Sequence, residues 1–143
     1  RRTNPHMGKD ESGGIGADTF AWQLADRGAP GTPAVDTVTD FDATANSDKL
    51  DLRDLLQGET AVGAQANLEN FLHFEKSGTS TIVHISSGGG FAADAHTVGA
   101  GSVFSGAAED QKVVLQNVDL VGTNTTDQQI IQDLLTKGKL ITD

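Results

Sequence analysis

Cysteine is absent from the chain, and so is tyrosine; one tryptophan, Trp22, and six phenylalanines make up the aromatic complement. Without thiols there is no disulfide, no cysteine nucleophile and no thiolate metal site, so an exported form must be stabilised by other means. Basic residues are few. Ten Lys and Arg stand against 20 Asp and Glu in 143 residues, a net charge of −10. Nucleic acid and anionic membranes need a basic face and are poor partners for such a chain. No apolar run approaches the ~18 residues that span a bilayer, so membrane insertion is not expected. No amino-terminal signal peptide is visible. Catalytic spacings are missing too. His6, His73, His84 and His96 form no H-E-x-x-H or other zinc pattern, and there is no G-x-S-x-G elbow. A non-enzymatic chain is the expectation.

Glycine is plentiful, with 17 residues, while apolar residues make up only 36%. That leaves limited material for a dense core and many positions open to unusual backbone angles. A cation suits this composition, because it offsets the self-repulsion that collapse must overcome. The opening "RRTNPHM" has no periodicity and is set aside as an appended remnant (1–7), leaving 8–143 as a single domain.

Alternation predicts strands at "TFAWQL" (19–24), "VDTVTDF" (35–41) and "DKLDL" (48–52), with a loop through "ADRGAPGTPA" (25–34). A helical turn follows through Leu55 and Leu56 to Gly58, and residues 59–67 read as a polar connection. "FLHFEKSGTSTIVHIS" (71–86) is a hairpin joined at Ser77-Gly78-Thr79, on whose arms His73 and His84 face each other as a cross-strand polar pair. The Gly-, Ala- and Ser-rich stretch 88–109 has no sustained period and is expected to be a flexible insertion. "QKVVLQNVDLV" (111–121) is a strand with a break near Asn117. Thr126 and Gln129 form a capping box, Ile130, Ile131, Leu134 and Leu135 an apolar stripe, and Gly138 a carboxy-terminal cap. The stripe reads first as packing. "KLITD" then closes the chain as a short strand.

Two stretches carry chemistry. "GGIGADTFA" (13–21) does not complete a dinucleotide fingerprint: Thr19 replaces the third Gly, a strand rather than a helix follows, and Asp18 repels an anion. It does fit the nine-residue G-G-x-G-x-D-x-U-x unit that binds calcium in RTX proteins, with Phe20 as the inward apolar residue. Glycines let carbonyl oxygens turn inward and the Asp adds charge, which suits an ion that takes about six to eight oxygens. A glycine-rich turn before a strand is the competing reading. The second stretch holds Asp36, Asp40, Asp42, Asp48, Asp51 and Asp54. It reads as a solvated acidic edge, as a source of one further ligand, or as a loop of its own. In an extended strand the Cα atoms of Asp36 and Asp40 lie roughly 13 Å apart, so only one of them can share an ion. Residues 40–51 place oxygens at EF-hand-like positions, but Ala45 and Asp51 stand where that loop needs Gly and Glu.

The order "GGIGADTFAW", "VDTVTDFD", "DKLDLRDLL", "TSTIVHISS", "DQKVVLQNVDL" and "IIQDLLTKGKLITD" resembles the type I secretion carboxy-terminal target domain of large RTX adhesins over nearly all of 13–143. The resemblance implies a mainly β fold: a short parallel β-roll turn leading into a β-sandwich-like or β-solenoid sheet, with one carboxy-terminal helix. It implies Ca2+ as the bound ion, with Asp18 and the carbonyls of Gly14 and Gly16 as ligands and Asp36 and Asp40 after them. It further implies an uncleaved export signal read transiently by an ABC-transporter complex, and folding outside the cell. The expected setting is a monomeric last segment of a very large cell-surface adhesin that supports attachment and biofilm formation. A calcium-dependent carbohydrate- or peptide-binding module of an extracellular protein is the alternative.

Overall fold

The computed structural model describes residues 3–4, 10–11, 19–39, 41, 48–56, 68–91, 97–99 and 104–141. Among them are the strands β1 (Thr3–Asn4), β2 (Asp10–Glu11), β3 (Thr19–Ala21), β4 (Ala34–Val38), β5 (Lys49–Asp51), β6 (Leu72–Ser77), β7 (Ser80–Ile85), β8 (Gln111–Leu115) and β9 (Leu140–Ile141), and the helix α1 (Asp127–Thr136). From β1 to β5 each strand is handed to the opposite sheet. One sheet is all parallel, in the order β1-β3-β5-β9; the other runs β2-β4-β8-β7-β6, parallel from β2 to β8 and antiparallel beyond. The chain is therefore mainly β with one carboxy-terminal helix, the class its alternation and capping signals indicate.

The path is a coil whose turns lengthen. Thr3 pairs with Thr19, Thr19 with Lys49, and Leu50 with Leu140. The first interval is sixteen residues, close to the about eighteen of two nine-residue units. Later turns carry insertions, the β6–β7 hairpin among them. Thr3–Asn4 falls within the segment set aside on sequence and runs parallel to β3.

Period-2 alternation explains which faces meet. On β8, Gln111, Val113 and Leu115 are buried while Lys112 and Val114 are half-buried; on β4, Asp36 and Val38 are buried while Val35 is exposed. In the parallel sheet Phe20, Leu50 and Leu140 stand in register, one apolar ladder across three strands. These ladders, Trp22, Leu52, Leu55 and the α1 stripe of Ile130, Ile131 and Leu134 form a single core cluster.

The hairpin forms as its alternation predicts. Ser77 faces Ser80 across the two-residue loop Gly78-Thr79, and Gly78, at φ +61°, takes the positive angle that a first loop residue of this kind requires. β8 ends at Leu115, and two residues on Asn117, at a φ of +58°, turns the chain out of the sheet. Thr126 caps α1 by accepting from the Gln129 N–H, while the Gln129 side chain returns to the Thr125 N–H at 2.9 Å, one residue before the cap. At the other end Gly138, at φ +70°, donates to the Leu135 carbonyl and Lys139 donates to that of Leu134, a Schellman closure. Lys139 is 1% exposed; its ammonium donates to the Asp48 carbonyl at 3.0 Å and lies 5.8 Å from the centre of the Phe41 ring.

Several described residues of the stretch 88–109 are held by single anchors rather than by a regular element. Phe91 is buried and its N–H bonds Asn70, Thr97 bridges to Thr126, and Phe104 stacks on His73. A 3-10 turn at Gly106–Ala108 then leads into β8. Residues 59–67 lie outside the described residues. Among those described, no helix is long and apolar enough to cross a membrane.

The core ladders and the exposed face make contrasting predictions. Leu115→Ala, at a position with 0% exposure, should cost about 2–5 kcal/mol. Val35→Ala, at 51% exposure, should stay within about 0.5 kcal/mol. Urea unfolding of the two variants measures both.

Candidate functional site

The glycine unit runs straight into β3. Phe20, at the apolar position of the unit, is 1% exposed and faces the core, and Trp22 continues the ladder by donating its N–H to the Asp51 carbonyl. Gly14, Gly16, Asp18 and Asp40, four of the candidate ligands, lie outside the described residues.

Asp36, the fifth, sits on the inward face of β4 at 1% exposure. Its Oδ2 accepts from the Trp22 indole N–H and from the Gln111 side-chain amide, both at 2.9 Å. Trp22 follows a strand of the parallel sheet and Asp36 belongs to the other, so this carboxylate cross-links the two. The signal was present: a lone buried Trp needs an acceptor, and Asp36 shares the alternation of Val38.

The acidic run divides by direction. Asp48, like Asp36, is buried at 1% exposure. Asp51 takes a two-pronged contact from the Arg53 guanidinium at 3.0 and 2.7 Å, and Asp54 accepts the Leu24 N–H at 2.8 Å. Asp42 and most of the 40–51 loop lie outside the described residues, and Lys49–Asp51 at its end is a strand. Burial works to raise the Asp51 carboxyl, but the hydrogen bonds and charge of Arg53 outweigh it and hold it below the usual carboxylate range.

A second polar centre, larger than its sequence signal, lies where the hairpin meets the 104–110 segment and α1. His73 and His84 are register partners with ring centres 5.6 Å apart, the cross-strand pair that the alternation placed opposite each other. The carboxylates around them were not foreseen. Asp127, in the first turn of α1 and 0% exposed, accepts from the Phe74 backbone N–H at 2.8 Å and bonds His73 Nδ1 at 2.8 Å. β6 is the edge of its sheet, so Asp127 occupies a donor that an edge strand would otherwise leave open. His84 bonds Glu109 through Nδ1 and Glu75 through Nε2, the latter at 2.8 Å. Phe104 lies over both rings, 4.2 Å from His73 and 4.6 Å from His84 between ring centres. A cleft of about 430 Å³ opens beside His73, Glu75 and Phe104. No group of three or more His, Asp or Glu side chains among the described residues is arranged to hold a metal ion.

No protein-family model matches the sequence, and no curated protein matches it either. Among solved structures it is similar to the AlgE6R3 subunit of the mannuronan C5-epimerase from Azotobacter vinelandii. The identity is 22% and the TM-score 0.43, with 75% of this chain and 49% of that one covered. The chain thus spans about half the length of that structure.

Two measurements check this geometry. Arg53→Gln should raise the Asp51 titration followed by side-chain 13C NMR. Because the folded pKa is the lowered one, the Arg53 contribution is present above the unfolded value of about 3.9 and is lost as pH falls through the folded value, so the variant and parent should converge in stability at acid pH. Asp127→Ala strands two buried donors and should cost about 3–5 kcal/mol, against less than about 1 kcal/mol for Asp133→Ala on the exposed face of α1, read from denaturant midpoints.

Proposed function

We propose that this chain is a non-catalytic calcium-binding module of a large secreted adhesin, the carboxy-terminal RTX-type segment that carries an uncleaved type I export signal. The observation that carries the reading is the coil itself. The strand that follows GGIGAD in the sequence begins at Thr19 and buries Phe20, where the nonapeptide spacing puts its strand and its inward residue. The strands before and after it lie in the opposite sheet, as in a roll built of such units.

Donor chemistry favours a hard cation at the glycine-rich sequence before β3. Backbone carbonyls of Gly14 and Gly16 and the carboxylate of Asp18 are all oxygens, the set calcium selects. Of the two more distant candidates, Asp36 already serves the indole and amide inside the core, which leaves Asp40 as the one to add to the set. An ion bound only by the folded form shifts folding by RT ln(1 + [L]/Kd), about 2.7 kcal/mol at a hundredfold excess over Kd. That is a large share of the stability of one small domain. A chain of charge −10 with 17 glycines stays open where free calcium is scarce and closes where it is abundant.

The terminal residues support an order of events. Ile130 and Ile131 are 0% exposed and Leu140 is 5% exposed. A transporter reading this segment therefore meets its apolar residues only before the domain has folded, so export precedes calcium capture. Attachment to surfaces and biofilm formation would be the work of the parent adhesin.

Far-UV circular dichroism titrated with calcium, beside magnesium, tests the reading. Calcium should drive a cooperative gain of β signal, and magnesium should not reproduce it at equal concentration, because the smaller ion demands near-octahedral geometry and sheds water reluctantly. Asp18→Asn should move the calcium midpoint up about tenfold or more by removing a charged ligand. A spectrum already complete in chelator and indifferent to calcium would overturn the proposal.

A further inference from the structure

The contact of His84 with two carboxylates has a protonic consequence. Each bridge joins a ring nitrogen to a carboxylate oxygen, and two lone pairs at hydrogen-bond distance repel unless a proton lies between them. The trio Glu75–His84–Glu109 therefore holds two protons when both bridges are made. With both carboxylates ionised, both protons reside on the ring. A neutral imidazole has one N–H and can satisfy only one of the two carboxylates.

The two carboxylates belong to different parts of the fold. Glu75 is on β6, one arm of the hairpin, while Glu109 ends the segment that returns from Phe104 through the Gly106–Ala108 turn to β8. Glu109 is 4% exposed and His84 likewise, whereas the Glu75 side chain is 52% exposed. We propose that the Glu75–His84–Glu109 bridge is a proton-dependent latch that holds the 104–110 segment on the hairpin and releases it as pH rises.

The surrounding groups leave this role to the trio. On β6, His73 is committed through Nδ1 to Asp127 of α1. On β8, Lys112 is the register partner of His84 and half-buried, and its ammonium offers the ring no acceptor. Asp110 turns away, towards the Ser87 hydroxyl and N–H and the Arg27 guanidinium. Phe104 covers the rings, so opening the latch also uncovers an aromatic face. The sign follows from the proton count: the closed form binds one proton more than the open form with a neutral ring, so opening is favoured as pH rises.

Amide hydrogen exchange at Ala107–Asp110 tests this between about pH 5 and about pH 9, at fixed millimolar calcium and after correction for base-catalysed intrinsic exchange. In the parent protein the opening constant of this segment should rise by up to about tenfold per pH unit once the second proton is lost. Glu109→Gln and Glu75→Gln each remove the need for that proton, because the new amide donates to the bare ring nitrogen and the neutral ring donates to the remaining carboxylate. Both variants should give a flat profile. Glu75 is the exposed end of the bridge, so Glu75→Gln decides the matter even if the buried variant fails to fold. A flat profile in the parent, or an unchanged slope in Glu75→Gln, overturns the latch. The test does not depend on which residues hold calcium.

Discussion

A carboxylate can leave water only where donors meet it, and the interior of this molecule is organised around that constraint. Asp36, Glu109, Asp110 and Asp127 are all at most 4% exposed. The donors that meet them come from far along the chain: Trp22 and Gln111 to Asp36, Arg27 and Ser87 to Asp110, the Phe74 N–H and His73 to Asp127, and His84 to Glu109. Each buried acid thus joins two elements that alternation alone would leave independent. Asp36 ties one sheet to the other, Asp110 ties the loop after β3 to the hairpin exit, and Asp127 ties the helix to the sheet edge. Removing either side of such a pair leaves an uncompensated group in the interior, which costs far more than the pair itself contributes. The consequence is a core whose registry is fixed by polar contacts while its bulk is apolar.

Surface charge works on another scale. Lys76 with Asp119 and Lys137 with Asp133 are solvent-facing pairs, half-exposed or nearly so on both sides, and pairs of this kind contribute at most about 1 kcal/mol. The Asp119 carboxyl is held below its ordinary range first by the Gly122 N–H and then by Lys76, with burial opposing them. Its work is local: it accepts the Val121 and Gly122 N–H groups and shapes the turn that leads to α1. Among the described residues the acids therefore divide into interior carboxylates that join elements of the fold and exposed ones, such as Asp119 and Asp133, whose work is local.

The elements that rest on local physics were legible in the sequence. The hairpin announced itself by alternation around Ser77-Gly78-Thr79, and α1 by Thr126, its apolar stripe and Gly138. Their causes lie within a few residues, which is the range over which period and capping speak. The coil was legible through one nonapeptide and the family resemblance. What escaped was long-range. Alternation puts Asp36 on the inward face with Val38, but it does not say that the donor met there is an indole 14 residues away, and nothing near Glu109 says that it meets a ring on the hairpin. The 88–109 stretch read as featureless for the same reason: Phe91, Thr97 and Phe104 each anchor as a single residue, and a single residue has no period.

Topology completes the argument about timing. β9 pairs with β5 through Leu140 and Leu50, and β8 inserts beside β4 through Val113 and Asp36, so both sheets depend on residues distant in the chain. The buried Lys139, just ahead of β9, donates to the Asp48 carbonyl just ahead of β5, so a cation from the end of the chain meets its middle. Closing such loops costs entropy before any contact repays it, which makes long-range parallel pairing slow. A slow, high-contact-order domain with repelling acids has a long unfolded lifetime. Any ligand bound only by the closed coil acts on that balance directly, by mass action.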